Sequence, residues 1–180
     1  LFTHDDDDGA AYLSSTYDHG RTALAWDWTR SETGSFPLDG IGAHLYVVPG
    51  TVDPPAVRDG MDANLAAMWD VVTANEGAGT AKRFWLSEIG WTDAAVGEDG
   101  QAANVTTALA HLKGDARVRL VTWFCVADWP GEAWGVLRTD GSKKPAYAAF
   151  QAQAGPPAAW RAVLLVLRQV RLPPQGRRHL

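Results

Sequence analysis

The run FWLSEIGW, residues 84–91, carries a single carboxylate, Glu88, among apolar and aromatic neighbours. An ionised carboxylate buried without partners costs several kcal/mol even after relaxation. Two other runs offer groups that could meet it. GAHLY supplies His44 and Tyr46, an imidazole and a phenol that would converge on the same rim. VTWFCVADW supplies Trp123 and Asp128, an indole and a second acid. Each residue alone has a plainer reading: a histidine at a strand end is usually a satisfied structural group, and a tryptophan in a strand is usually core. A glutamate inside an apolar strand is unusual by itself. Three such residues on three successive strand ends is a much less common coincidence.

The elements that must position them alternate between short apolar runs and helical periodicity. GAAYLSSTYDHG (9–20) reads as a helix closed by Gly20, and TALAWDWTRSETGSFP as a loop with a short helical turn. LDGIGAHLYVV (38–48), RFWLSEIGW (83–91) and RVRLVTWFCVAD (117–128) read as strands. Between and after them, 57–75, 99–113 and 144–154 read as helices: Leu65, Met68, Trp69 and Val72 recur at helical spacing, and Pro145 sits in a first turn. Strand and helix in alternation imply an α/β fold with a parallel sheet, whose functional residues collect at the C-terminal strand ends. Three strands are fewer than half of a closed eight-stranded barrel, which takes about 250 residues.

The bulk numbers narrow the function classes. The chain has 180 residues, 46% hydrophobic and 21% charged, with a net charge of −5. That charge argues against a nucleic-acid partner, and no apolar run is long enough to span a bilayer. Residues 161–180 carry five arginines and no acid, so the other 160 sum to −10. The chain is thus divided into 1–155 and a basic tail, 156–180, which could form an amphipathic helix or be foreign to the fold. Cys125 is the sole cysteine, which excludes an internal disulfide and a cysteine-built zinc site; its apolar flanks make it a packed thiol. No metal or cofactor is expected. His4 to Asp8 lacks the alternation of a calcium loop and reads as a solvated helix start. Asn104 begins a glycosylation triplet but lies in a predicted helix. The nine tryptophans suit either a core or the flat faces of sugars.

The three strand segments resemble the C-terminal half of the retaining (β/α)8-barrel glycoside hydrolases, the clan with catalytic glutamates on strands four and seven. LDGIGAHLY resembles the sixth strand, whose His-x-Tyr lines the subsite of the reacting sugar. FWLSEIGW resembles the seventh, which carries the nucleophile. LVTWFCVADWPGEAWGVLRTDGSKKPAYAAF resembles the eighth strand and its return. The match runs over about residues 36–152, and its final Asp-Gly-x-x-Lys-Pro-Ala-Tyr phrase resembles the β-xylosidase and cellulase-like branches.

The resemblance implies a partial (β/α)8 barrel, strands 6 to 8, acting on β-linked oligosaccharides or polysaccharides, with an extracellular setting favoured by that substrate class. It implies Glu88 as nucleophile, His44 and Tyr46 as its donors, Trp123 as the platform under the sugar, and Asp128 beside it. The family's acid/base glutamate, in an Asn-Glu pair on strand four, would precede Leu1 together with the first half of the barrel. Asn75-Glu76 follows a helix instead and reads as a solvated helix terminus. Without a second carboxyl the rival reading is a non-catalytic carbohydrate-binding relic. A third is an α/β domain whose rim residues are structural.

Overall fold

The structure, a computed structural model, describes residues 9–154 in full and the backbone of 161–164. The elements follow as α1 (Gly9–Ala23), α2 (Trp26–Thr33), β1 (Ile41–His44), α3 (Pro54–Glu76), β2 (Phe84–Ile89), α4 (Asp93–Gly114), β3 (Val118–Trp123), α5 (Pro145–Gln153) and β4 (Arg161–Leu164). The strands lie side by side in chain order, all parallel. Each passage between neighbouring strands contains a helix, the long crossover that parallel pairing requires. The α/β expectation holds. Among the described residues the sheet is open, with β1 and β4 at its edges.

Local chemistry sets the helix starts. Asp53 caps α3 by accepting the Ala56 N–H at 3.4 Å, with Pro54 and Pro55 in the first turn, where a missing N–H costs nothing. Thr92 caps α4 through the Ala94 N–H at 3.3 Å. The capped helices bury one face each. Val57, Met61, Leu65, Met68 and Val72 of α3 join Val105, Ala108, Leu109 and Leu112 of α4 in one core with Ile41, Phe84, Leu86, Ile89 and Val121 of the strands. Each large side chain fully buried there contributes about 1.5–3 kcal/mol. Trp85 points the other way from Phe84 and Leu86 and stays 48% exposed.

Several sequence expectations change. Helix α1 does not stop at Gly20; the glycine lies inside it, where an added Cβ would stand 2.2 Å from the Trp26 ring. The loop expected at 22–37 contains a full helix, α2, entered through Ala25 in the left-handed region and closed by Gly34 at φ 80°. Strand β1 is shorter than 38–48. Arg161–Leu164, within the segment set apart as a tail, pair with β3 as a strand rather than forming a helix. His4 to Asp8 and residues 165–180 lie outside the described residues. Asn104 is buried in α4 and donates to the Thr51 carbonyl at 2.8 Å, so the triplet is structural. Among the described residues no helix is long and apolar enough to cross a membrane, and no cluster of His, Cys, Asp and Glu could hold a metal.

Candidate active site

Glu88 lies at the C-terminal end of β2, in register with His44 of β1. The pairing slips by one residue between Ala43 and His44. Such a bulge re-aims a side chain. Leu86 on one side of Glu88 and Ile89 on the other are buried, while Glu88 itself is only 22% exposed. The Tyr46 hydroxyl donates to Glu88 Oε2 at 2.8 Å, and His44 Nδ1 stands 3.3 Å from the same oxygen. No hydrogen bond from a described residue reaches Oε1. Among the described residues, one carboxylate oxygen accepts the Tyr46 hydroxyl and the other accepts no hydrogen bond.

A cavity of about 310 Å³ opens over these groups, walled by His44, Tyr46 and Glu88 on one side and by Phe124, Trp129, Glu132 and Trp134 on the other. The aromatic rings meet edge to face: Trp134 against Tyr46 and against Phe124, each at 5.6 Å between centroids, and Trp129 against Phe124 at 6.0 Å. These geometries suit ring quadrupoles and fix the wall without polar contacts. The Trp134 indole N–H is directed to Glu132 Oε2 at 2.9 Å. The Tyr46 and Trp134 rings also wall a smaller apolar cavity of about 140 Å³ on the side of Val47, Pro49 and Trp91.

His44, Tyr46 and Glu88 are therefore brought together as expected. Trp123 and Asp128 are not in the cavity, and the roles assigned to them need correcting. Trp123 is 0% exposed, packed on Trp91 at 6.2 Å between rings, so it has no free face for a ligand. Its indole N–H donates to the Trp134 carbonyl at 3.2 Å, and buried Gln101 donates to the same carbonyl at 3.3 Å. Asp128 accepts the Gly135 N–H at 2.8 Å and an ion pair from Lys144, at 2.7 Å to Oδ2. Lys144 is 1% exposed on its side chain and also meets Asp93 at 2.6 Å. This ion triad joins the start of α4, the loop after β3 and the start of α5. Gly135 passes so close to Ala127 and Asp128 that an added Cβ would stand 2.4 Å from their backbone atoms. Both misassigned residues hold the loop that carries Trp129, Glu132 and Trp134 into the cavity.

Sequence reasoning missed those three. The signal was the phrase WPGE: Pro130 followed by Gly131, at φ 89°, closes a tight turn between Trp129 and Glu132 through two backbone hydrogen bonds, 3.3 and 2.9 Å. Cys125 behaves as expected. It is buried, and that burial, with Asp128 adding to it, pushes its thiol up to about 12.

At the opposite end of the strands lies a larger cleft, about 800 Å³, bordered by Ser35, Phe36, Leu38, Glu76 and Lys82. Lys82 and Glu76 in it are already matched. Lys82 Nζ donates to Ser35 Oγ at 3.2 Å, to the Phe36 carbonyl at 3.1 Å and to the Leu38 carbonyl, and stands 3.8 Å from Glu76. Glu76 also accepts the Tyr17 hydroxyl at 3.1 Å and is only 3% exposed on its side chain. The solvated helix terminus expected at Asn75-Glu76 is a buried network.

No family model matches the chain, and no curated protein matches it. Among solved structures it is similar to native xylanase 10B from Thermotoga maritima, with 13% identity and a TM-score of 0.46 over 74% of this chain. The aligned part spans 42% of that enzyme. At that identity and score the likeness gives no residue a role.

Proposed function

We propose that the chain carries a retaining β-glycosidase site in which Glu88 is the nucleophile, set in the (β/α)8 arrangement that the strand segments resemble. The observation that carries the reading is the asymmetric binding of the Glu88 carboxylate. Tyr46 and His44 converge on Oε2, at 2.8 and 3.3 Å, and no described residue binds Oε1. The Tyr46 hydroxyl on one oxygen fixes the plane of the carboxylate, while the second oxygen keeps its lone pairs for an electrophile. Attack on an anomeric carbon forms a glycosyl ester, which water then cleaves. The aromatic wall of Phe124, Trp129 and Trp134 suits the C–H face of a sugar ring.

The sequence resemblance to β-xylosidase and cellulase-like branches directs the substrate choice to β-linked saccharides. The full chain should release 4-nitrophenol from 4-nitrophenyl β-xyloside or β-glucoside, and proton NMR should show the β-anomer forming first. Glu88→Gln should bring the rate to background. A variant as active as the parent, or an α-anomer as first product, overturns the reading.

A further inference from the structure

We infer that Glu132 sets the charge selectivity of this site: it admits saccharides that bring hydroxyl groups to the rim and turns away those that bring a carboxylate or a sulfate. The inference rests on the glycosidase reading for turnover, and on the cavity alone for binding. Of the described residues walling the cavity, Glu88 and Glu132 are the two carboxylates, and none is a lysine or an arginine. His44 is the basic side chain of the wall, and its Nδ1 already stands 3.3 Å from Glu88 Oε2. The cations that follow the loop along the chain are engaged elsewhere, Arg138 with Glu98 at 2.6 Å and Lys144 with Asp93 and Asp128. Glu132 is the carboxylate that the nucleophile reading leaves without a task.

Its placement is built into the loop. The Pro130-Gly131 turn returns the chain so that Glu132 pairs backbone to backbone with Trp129. The Trp134 indole N–H fixes Glu132 Oε2 at 2.9 Å, and the Trp134 carbonyl is held in turn by Trp123 and Gln101. The side chain is exposed, and no described residue donates to Oε1. A fixed acceptor with one open oxygen suits a sugar hydroxyl, which can donate to it. A carboxylate has no proton to give.

Charge adds the larger effect. A sphere of about 310 Å³ is about 8 Å across, so an anionic group bound in the cavity lies within about that distance of Glu132. At an effective dielectric of about 20–40, two like charges so placed weaken binding about 5- to 30-fold. Selectivity then comes from repulsion of the wrong ligand as much as from contacts to the right one. The net charge of −5 on the whole chain has the same sign.

4-Nitrophenyl β-glucoside and 4-nitrophenyl β-glucuronide share a leaving group and differ only at C6, a hydroxymethyl against a carboxylate. For the full chain near neutral pH, kcat/KM should favour the glucoside, and Glu132→Gln should cut that preference about 5- to 30-fold. The amide oxygen of the variant still accepts the Trp134 N–H, so the wall stays built and only the charge is lost. Raising sodium chloride from about 20 to about 500 mM should narrow the preference of the parent more than that of the variant, because screening acts on charge and not on shape. A preference unchanged in Glu132→Gln, a glucuronide turned over as well as the glucoside by the parent, or an equal salt dependence overturns the assignment. NMR titration with methyl β-glucoside and methyl β-glucuronide separates the two readings, and the Kd values should show the same preference and the same loss in Glu132→Gln. A parent that binds in this pattern but releases no 4-nitrophenol removes the reaction alone. A parent that turns over the glucoside with a preference untouched by Glu132→Gln removes the role of Glu132 alone; a parent that binds neither sugar removes both.

Discussion

Glu76 and Glu88 stand at opposite ends of the same strands, each withdrawn from water, and their surroundings differ in kind. Glu76 is enclosed by Tyr17 and Lys82, and Lys82 is in turn saturated by Ser35 and two carbonyls. Burial, with the charge of Glu76 adding to it, raises the Tyr17 hydroxyl's pKa, so it stays a donor. Tyr17, Glu76 and Lys82 are each partnered within the protein. Glu88 accepts the Tyr46 hydroxyl on one oxygen, with His44 Nδ1 beside it at 3.3 Å, and faces a cavity with the other groups of its rim arranged around space. A buried charge that is fully matched holds a fold together; one that is half matched beside a cavity is available for chemistry. The cleft at Glu76 is lined by a matched lysine–glutamate network, while the cavity at Glu88 is the one proposed as the site.

The largest effect expected on stability is at the ion triad behind the site. Lys144→Met leaves the half-buried Asp93 and Asp128 without their buried cation, and removing one partner of such a set costs up to about 3–5 kcal/mol. Urea unfolding should show that loss; less than 1 kcal/mol by the order of magnitude for an exposed pair would mean that the triad does not hold the loop. Tyr46→Phe acts at the open end of the comparison. It removes a donor to a charged group, about 1.5–3 kcal/mol, and should lower kcat/KM about 10- to 100-fold while barely moving the unfolding midpoint. A loss of stability in place of activity would make Glu88 a second structural glutamate.

A smaller effect sharpens the correction of Trp123. Trp123→Phe deletes the hydrogen bond to the Trp134 carbonyl and should destabilise by about 1 kcal/mol for that bond, with a further loss for the volume removed. If Trp123 were a sugar platform instead, KM would rise with stability unchanged. The smallest effect is alkaline. The folded-state thiol of Cys125 is raised from its ordinary 9.0 to about 12. The unfolded chain loses that proton first, so the contribution is whole below pH 9 and declines as pH rises toward 12. Tyr17 acts in the same direction at higher pH. Cys125→Ala should flatten the fall in unfolding free energy over that interval, and an unchanged slope would show that the thiol is not the titrating group.

The parts of this account that were legible in the sequence are those with short-range signals. Glu88, His44 and Tyr46 announce themselves as polar groups at the ends of apolar runs, and strand–helix alternation gives the parallel sheet. Trp123 was misread because its direction depends on pairing irregularities between β2 and β3, which no alternation within one strand reveals. Glu76 was misread because its partner Tyr17 is 59 residues away. Trp134 and Glu132 lie on an irregular return whose only local mark is the Pro-Gly turn, and their convergence on Glu88 depends on a buried lysine and a glycine that admits no side chain.

The central claim is that Glu88 forms a covalent bond to a sugar. The most direct measurement is to incubate the full chain with 2-deoxy-2-fluoro-β-xylosyl fluoride and, separately, with the glucosyl analogue, then digest it and locate the adduct by mass spectrometry. The account predicts one added sugar on the Glu88 side chain, in the peptide containing FWLSEIGW, absent from Glu88→Gln. A folded chain that takes up no label, or takes it up equally after Glu88→Gln, would contradict it.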